Sequence, residues 1–180
     1  MAVVVVGGGG RGAGKTSLVC GVIAALAERG WVAVKIASHA HGPEQPVWED
    51  TEAGDRSDTA RYLAAGARRA FLLTAVDEAA MHAALDELWR RIERSENFIF
   101  ESNRVLNFLK PDLCLMVRAN ASGAGEKSSF EAAVSRADAV IVSGSADALR
   151  DGLRPEFEMA RLEQISPELE QWIRGRLIYG

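Results

Sequence analysis

Cysteine, histidine and aromatic residues are scarce in this chain of 180 residues. The two cysteines, Cys20 and Cys114, lie in apolar segments and show no Cys-x-x-Cys spacing. This arrangement argues against a disulfide framework or a cysteine metal site. It favours buried free thiols in a reducing compartment.

Long hydrophobic runs are also absent. No apolar stretch reaches the roughly 20 residues that a membrane helix needs. Residues 1–10 have no basic leader and only four strong hydrophobes before the glycines, which is too few for a signal peptide. We therefore expect a cytoplasmic protein without a membrane partner.

No sign of charge dominates the chain. The 21 Lys and Arg residues against 25 Asp and Glu residues give a formal net charge of -4. Such a balance disfavours a protein that is held on nucleic acid by general charge. The hydrophobic share of 48% is enough for a core and excludes a disordered chain. The length is that of one domain, so we expect residues 1–180 to form a single unit.

Short apolar segments alternate with segments of helical periodicity along the chain. We predict strands at 3–6, 31–37, 70–73, 97–100, 113–117 and 139–142. We predict helices at 15–29, 58–65, 77–94 and 128–136, and a further helix that starts at Ser166-Pro167. Residues 38–54 are predicted to be a long loop. The alternation predicts a three-layer α/β fold with a mostly parallel central sheet.

Glycine, with 17 residues, is somewhat enriched, and four glycines stand together at positions 7–10. Residues 9–16 fit the Walker A pattern G-x-x-x-x-G-K-[ST]. Glycines let the backbone approach phosphate oxygens closely, and the N-terminus of the following helix attracts anions. The pattern falls between a buried strand and an amphipathic helix, so it predicts a P-loop NTPase domain that binds a nucleoside triphosphate. The predicted binding residues of this loop are Gly9, Gly10, Arg11, Gly12, Ala13, Gly14, Lys15, Thr16 and Ser17.

Three residues are predicted to carry the chemistry of this site. Lys15 would bridge the β- and γ-phosphates, and the Thr16 hydroxyl would bind Mg²⁺. Glu101, at the end of a predicted strand, is the candidate for the acidic residue that completes the magnesium site, and the alternative is a solvated charge. Asp112 precedes its strand and should therefore lie at the wrong edge of the sheet.

The segment after the second strand adds further candidates. Asp58 is predicted to contact Mg²⁺ through water, and Arg61 to pair with a phosphate or a carboxylate. The alternatives are that Asp58 caps the helix that follows it and that Arg61 faces solvent. His39 and His41 are either an anion or metal site or ordinary loop residues.

The same segment resembles the molybdopterin-guanine dinucleotide biosynthesis adapter (protein B-like) family of P-loop GTP-binding proteins. That family has a Lys- and His-rich stretch after its second strand and then an Asp-Ser-x-Arg-x-x-x-Ala-Gly-Ala segment. Lys35, His39 and His41 occupy the first stretch here. The matching residues of the second are Asp58, Thr59 in place of Ser, Arg61, Ala65, Gly66 and Ala67. Residues 101–103, Glu-Ser-Asn, differ from the Glu-Gly-Phe that is usual in the family.

The resemblance implies GTP as the nucleotide, a role in attaching guanine nucleotide to molybdopterin, a partner enzyme of cofactor biosynthesis and a homodimer. We therefore expect Mg²⁺-dependent binding and slow hydrolysis of a purine nucleotide. GTP and ATP both stay open because no Asn-Lys-x-Asp motif for reading guanine is present. The alternatives are a small-molecule kinase or ATP-dependent ligase, and a switch or chaperone in which residues 38–61 respond to the nucleotide.

Overall fold

The computed structural model describes residues 1–10, 12–38, 45–119, 132–143, 154–159 and 163–179. The strands are β1 (Val3–Gly8), β2 (Val32–Ala37), β3 (Val47–Asp50), β4 (Arg69–Thr74), β5 (Phe98–Glu101), β6 (Leu113–Ala119), β7 (Ala139–Ser143) and β8 (Glu156–Met159). The helices are α1 (Lys15–Ala25), α2 (Asp58–Ala64), α3 (Glu78–Arg91) and α4 (Pro167–Tyr179). Two 3-10 helices span Ala27–Arg29 and Arg104–Asn107, and residues 132–134 are helical.

One sheet of eight strands organises the described part of the chain, in the order β3-β4-β2-β5-β1-β6-β7-β8. All neighbouring strands are parallel except β3, which runs antiparallel to β4. The prediction of a mostly parallel sheet is therefore confirmed. The carboxyl ends of β1, β2 and β5 share one edge, which is where an open α/β sheet binds its ligands.

Two hydrophobic clusters cover the two faces of the sheet. Successive residues of the central strand β1 point to opposite faces, so Val4 packs into one cluster and Val5 into the other. The first cluster contains the apolar side of α1 with Ile173 of α4, and the second contains Leu88 of α3. Helices on both faces give the three predicted layers.

Most predicted elements occur within a few residues of their predicted ends. The helix predicted at 15–29 divides into α1 and a 3-10 turn, which ends at Gly30 with a φ of 63°. The helix after Ser166 starts at Pro167 as expected. Much of the helix predicted at 128–136 falls outside the described residues.

The prediction of one long loop over residues 38–54 is wrong, because β3 lies within it. The strand β8 was not predicted either. Both are edge strands of the described sheet. Charged residues interrupt the apolar pattern of both strands, so neither shows the continuous hydrophobic run by which the inner strands were predicted.

The prediction that both cysteines are buried free thiols is confirmed. Cys20 and Cys114 are buried free thiols, and burial raises the pKa of each to about 12. Neither thiol is therefore a ready nucleophile at neutral pH. Among the helices of the described ranges, none has the length and apolar content that crossing a bilayer requires.

Candidate functional site

The glycine-rich loop joins the end of β1 to the start of α1. Gly12 and Gly14 have φ values of 79° and 98°, which place them in the left-handed region that other residues adopt only with strain. The side chain of Lys15 turns back to donate a hydrogen bond to the Gly10 carbonyl at 2.5 Å. Arg11 lies outside the described residues. The sequence thus dictates the unusual backbone of the loop through its glycines.

The start of α1 suits an anion. Gly14 is the N-cap residue and supplies no side-chain cap, and the first turn carries no acidic residue. The positive end of the helix dipole therefore faces outward at this point without a neutralising side chain from the first turn. A cavity of about 530 Å³ lies here. Its lining consists of residues 12–17 of the loop and helix together with Lys35, Asp58, Arg61 and Glu101.

Three side-chain oxygens converge at the base of this cavity. Thr16 Oγ1 lies 2.8 Å from Oε2 of Glu101 and 3.1 Å from Oδ1 of Asp58. Hydroxyl and carboxylate oxygens are the ligands that Mg²⁺ takes in proteins. The described residues hold no cluster of three or more His, Cys, Asp or Glu side chains that suits a metal ion. The donor set therefore fits a cation that draws further ligands from phosphate and water.

Glu101 occupies a buried position at the end of β5, with only 2% of its surface exposed. The alternative of a solvated strand-end charge is therefore wrong. Asp112 lies at the other edge of the sheet, as predicted, where its carboxylate accepts a hydrogen bond from the Val3 N–H at 2.7 Å. The capping alternative for Asp58 is also wrong, because Ser57 caps α2 by accepting a hydrogen bond from the Ala60 N–H.

Lys35 belongs to this site, whereas the sequence analysis named it only as part of the Lys- and His-rich stretch and not as a site residue. Its ammonium lies 2.8 Å from Oδ2 of Asp58 and pairs with Oε1 of Glu101. Burial alone would lower the pKa of Lys35, but the charges of Glu101 and Asp58 outweigh burial and raise it. Burial would raise the pKa of Asp58, yet the hydrogen bond and charge of Lys35 lower it. A lysine inside the apolar strand 32–37 was the signal that could have revealed it.

Tyr62 is the second residue that sequence reasoning missed. It is fully buried on α2, and its hydroxyl donates a hydrogen bond to Oε2 of Glu101. Burial, reinforced by the negative charge of Glu101, raises the pKa of Tyr62 well above its ordinary value. Tyr62 therefore stays a hydrogen-bond donor and fixes the carboxylate. Its position one turn after Asp58 on α2 was the only sequence signal.

Arg61 connects the cavity to the C-terminal part of the chain. Its Nη2 lies 2.5 Å from Oε1 of Glu163 and 3.4 Å from Oγ of Ser17. The guanidinium is 30% exposed. Pairing with a carboxylate is thus the arrangement observed, and the prediction of a merely solvent-facing Arg61 is wrong. His39 and His41 lie outside the described residues.

Comparison with known proteins finds solved structures that have a similar fold. No protein-family model matches the sequence, and no curated protein matches it. The crystal structure of LpxK from Aquifex aeolicus in complex with ATP is similar with a TM-score of 0.59 and 19% identity, over 88% of this chain and 53% of that chain. The crystal structure of HypB from Helicobacter pylori in complex with nickel gives a TM-score of 0.56 and 17% identity, over 97% and 85% of the two chains. The chain therefore has the α/β fold of P-loop NTPases, as predicted.

Proposed function

We propose that this chain binds a purine nucleoside triphosphate with Mg²⁺ in the cavity of residues 12–17 and hydrolyses it slowly. One observation carries the proposal. The oxygens of Thr16, Asp58 and Glu101 converge beside the uncapped start of α1, immediately after a loop whose glycines adopt left-handed backbone. This combination joins an anion site to a set of oxygen ligands for a divalent cation.

Different residues would bind the phosphates and the magnesium ion. Backbone N–H groups of residues 12–15 would bind phosphate oxygens, and Lys15 would neutralise charge on the β- and γ-phosphates. Thr16 and Glu101 would hold Mg²⁺, with Asp58 contacting it through water. When bound, Mg²⁺ neutralises negative charge that develops on the transferring phosphoryl group. Arg61 is close enough to Ser17 to approach a bound phosphate.

Slow turnover follows from the engagement of the carboxylates. Lys35 pairs with both Glu101 and Asp58, and Glu101 also accepts a hydrogen bond from Tyr62. The single hydrogen of the Thr16 hydroxyl can be donated to only one of the two carboxylates at a time. Pairing with the Lys35 ammonium favours the ionised form of both carboxylates and so opposes their accepting a proton from an attacking water. These carboxylates are therefore weak general bases, which fits slow hydrolysis.

GTP is the proposed nucleotide, and attachment of guanine nucleotide to molybdopterin is the proposed pathway. Both rest on the resemblance of residues 35–67 to the molybdopterin-guanine dinucleotide biosynthesis adapters. In that role the chain would act with a partner enzyme of cofactor biosynthesis, as a homodimer. The position of Asp58 and Arg61 at the P-loop cavity supports this comparison, since both belong to the matching segment.

A small-molecule kinase or ligase is the second candidate, and a particular observation favours it. A further cavity of about 200 Å³ adjoins the first, and both cavities are lined by Lys15, Lys35 and Glu101. A hydrolase needs room only for water beside the γ-phosphate. A second cavity at this position would instead accommodate another reactant.

Nucleotide titrations test the proposal. We expect fluorescent GTP and ATP analogues to bind with Mg²⁺, GTP more tightly, and both to bind more weakly in EDTA. Lys15→Ala should weaken triphosphate binding roughly a hundredfold, since it removes a charge-assisted contact of about 2–3 kcal/mol. The exposed Lys110→Ala provides the matched control. Unchanged affinity in Lys15→Ala would disprove the P-loop assignment. Release of inorganic phosphate, measured with and without candidate acceptors, separates hydrolysis from transfer.

A further inference from the structure

The second cavity lies at the carboxyl ends of β2 and β5. Lys35 of β2 and Ser38, directly after that strand, line it, together with Ser102, Asn103 and Arg104 from the chain that follows β5. Its volume is about 200 Å³, which is less than half the volume of about 530 Å³ of the cavity at residues 12–17. The larger cavity is called the phosphate cavity below. The second cavity adjoins the phosphate cavity through Lys15, Lys35 and Glu101, and its volume suits a small group.

Arg104 distinguishes this cavity from ordinary surface clefts. It is partly buried, and its Nη1 donates to the Ala75 carbonyl at 2.5 Å. Within the described ranges no carboxylate lies at ion-pair distance from Arg104, whereas Arg61, Arg69 and Arg174 each pair with one. Burying a guanidinium without an opposite charge costs free energy. Its planar array of donors suits the paired oxygens of a carboxylate or phosphate group.

The other polar groups of the cavity fall into two sets. The Ser102 hydroxyl oxygen accepts a hydrogen bond from the Val105 N–H at 3.3 Å, so its hydrogen can be donated to a ligand. Asn103 has both ends of its amide engaged with the backbone of Gly8, at 2.8 and 3.1 Å, and forms a rigid wall. The negative charge of Glu101 is offset by its pairing with Lys35. The cavity thus presents cations and donors to its ligand.

We infer that this cavity is a binding subsite for a small ligand with a carboxylate or phosphate group, anchored by Arg104. The two cavities share Lys15 and Lys35 in their linings. A ligand in the second cavity would therefore lie beside the phosphates of a nucleotide in the first, and this part of the inference rests on the proposed function. Anion binding by Arg104 itself does not require a nucleotide. The ligand class is that of a small acidic metabolite.

Calorimetric titration of the full chain tests the inference, with inorganic phosphate and acetate as separate probes at constant ionic strength. The P-loop is first saturated with a non-hydrolysable GTP analogue and Mg²⁺, so that neither probe can occupy the phosphate cavity. We expect Arg104→Gln to weaken binding of the preferred probe tenfold to a hundredfold, as for the loss of a charge-assisted hydrogen bond. Arg104→Lys should bind with an affinity between those of the unmodified chain and Arg104→Gln, because it keeps the cation but loses the planar pair of donors. Arg90→Gln, at an exposed site on α3, should bind like the unmodified chain.

Two outcomes overturn the inference: no saturable binding of either probe, or equal affinity in Arg104→Gln and Arg90→Gln. Failure of the proposed function is a different result, because the GTP analogue itself would not bind. In that case the titrations are repeated without nucleotide in the Lys15→Ala background, which weakens the P-loop as a competing anion site. Weaker binding of the probe to the double variant Lys15→Ala, Arg104→Gln than to Lys15→Ala alone then supports the subsite, and equal affinity overturns it. Melting temperatures confirm that each variant is folded.

Discussion

The ammonium of Lys35 lies 2.8 Å from Oδ2 of Asp58. The same ammonium pairs with Glu101, so one lysine separates the two carboxylates that flank the Thr16 hydroxyl. Without it, Glu101 and Asp58 would face each other with only the more distant Arg61, 3.8 Å from Oδ1 of Asp58, to offset their charge among the ion pairs described. The position of Lys35 therefore indicates where positive charge is needed before any divalent cation arrives.

We predict that Lys35→Met destabilises the nucleotide-free protein by about 2 kcal/mol. This is less than the roughly 3–5 kcal/mol for breaking a fully buried pair, because Lys35 is 21% exposed. In a chain of this size that loss lowers the melting temperature by about 4–8 °C. Because both carboxylates then lose the Lys35 ammonium, and Asp58 keeps only the more distant Arg61, Mg²⁺ should raise the melting temperature of Lys35→Met more than that of the unmodified chain. An equal effect of Mg²⁺ on both, with Lys110→Met as control, contradicts this account.

Glu101→Gln should separate nucleotide binding from its dependence on magnesium. The amide keeps the size of the side chain but removes a charged oxygen ligand. We expect affinity for GTP in EDTA to change little and the gain from Mg²⁺ to fall on the order of tenfold or more, together with turnover. Asp112→Asn, at the opposite edge of the sheet, is the matched control. Mg²⁺-dependent turnover that survives in Glu101→Gln removes this residue from the magnesium site.

Arg61 and Glu163 form an ion pair whose two members should behave differently when substituted. The pair is 30% and 47% exposed, so Glu163→Gln should cost less than about 1 kcal/mol of stability and leave nucleotide affinity intact. Arg61→Gln should also weaken triphosphate binding about tenfold, because its guanidinium lines the phosphate cavity. Chemical denaturation and nucleotide titration measure the two effects. Equal losses of affinity in both variants would show that Arg61 acts only through Glu163.

Asp50, at the end of β3, should make stability sensitive to acid. Burial alone would raise its pKa, but hydrogen bonds from the Glu52 N–H, Thr59, Ser57 and Arg56 lower it. Because the folded-state pKa lies below the unfolded value of about 3.9, this contribution is complete above that pH and is lost as the pH falls through the folded pKa.

We therefore expect Asp50→Asn to cost about 2 kcal/mol at neutral pH, and the difference to shrink below about pH 4. Urea unfolding at a series of pH values measures the difference. The exposed Asp86→Asn serves as control. A difference that stays constant down to pH 3.5, roughly half a unit below the unfolded pKa, would show that the charge of Asp50 is not what its hydrogen bonds stabilise.

The sequence predicted a feature correctly where the residues that define it lie within one short segment. The Walker A spacing located the loop, and the place of Glu101 at the end of an apolar strand made it the candidate for the magnesium site, whereas its burial is visible only in the structure. Edge strands β3 and β8 escaped prediction because charged residues, Glu49 and Asp50 in β3 and Glu156 and Glu158 in β8, break the apolar pattern. The pairing of Arg61 with Glu163 joins residues 102 positions apart, which no local window contains.

The sequence by itself determined the alternation of strands and helices and the backbone of the phosphate loop, because periodicity and glycine act over a few residues. Only the tertiary structure decided which side chains meet there. Parallel strands are joined by crossovers, so their order and register depend on packing of the whole sheet. Pairing of β2 with β5 places Lys35 opposite Glu101, and α2 brings Asp58 and Tyr62 onto the same carboxylate cluster. The charge balance of the site arises from that register, which no single segment encodes.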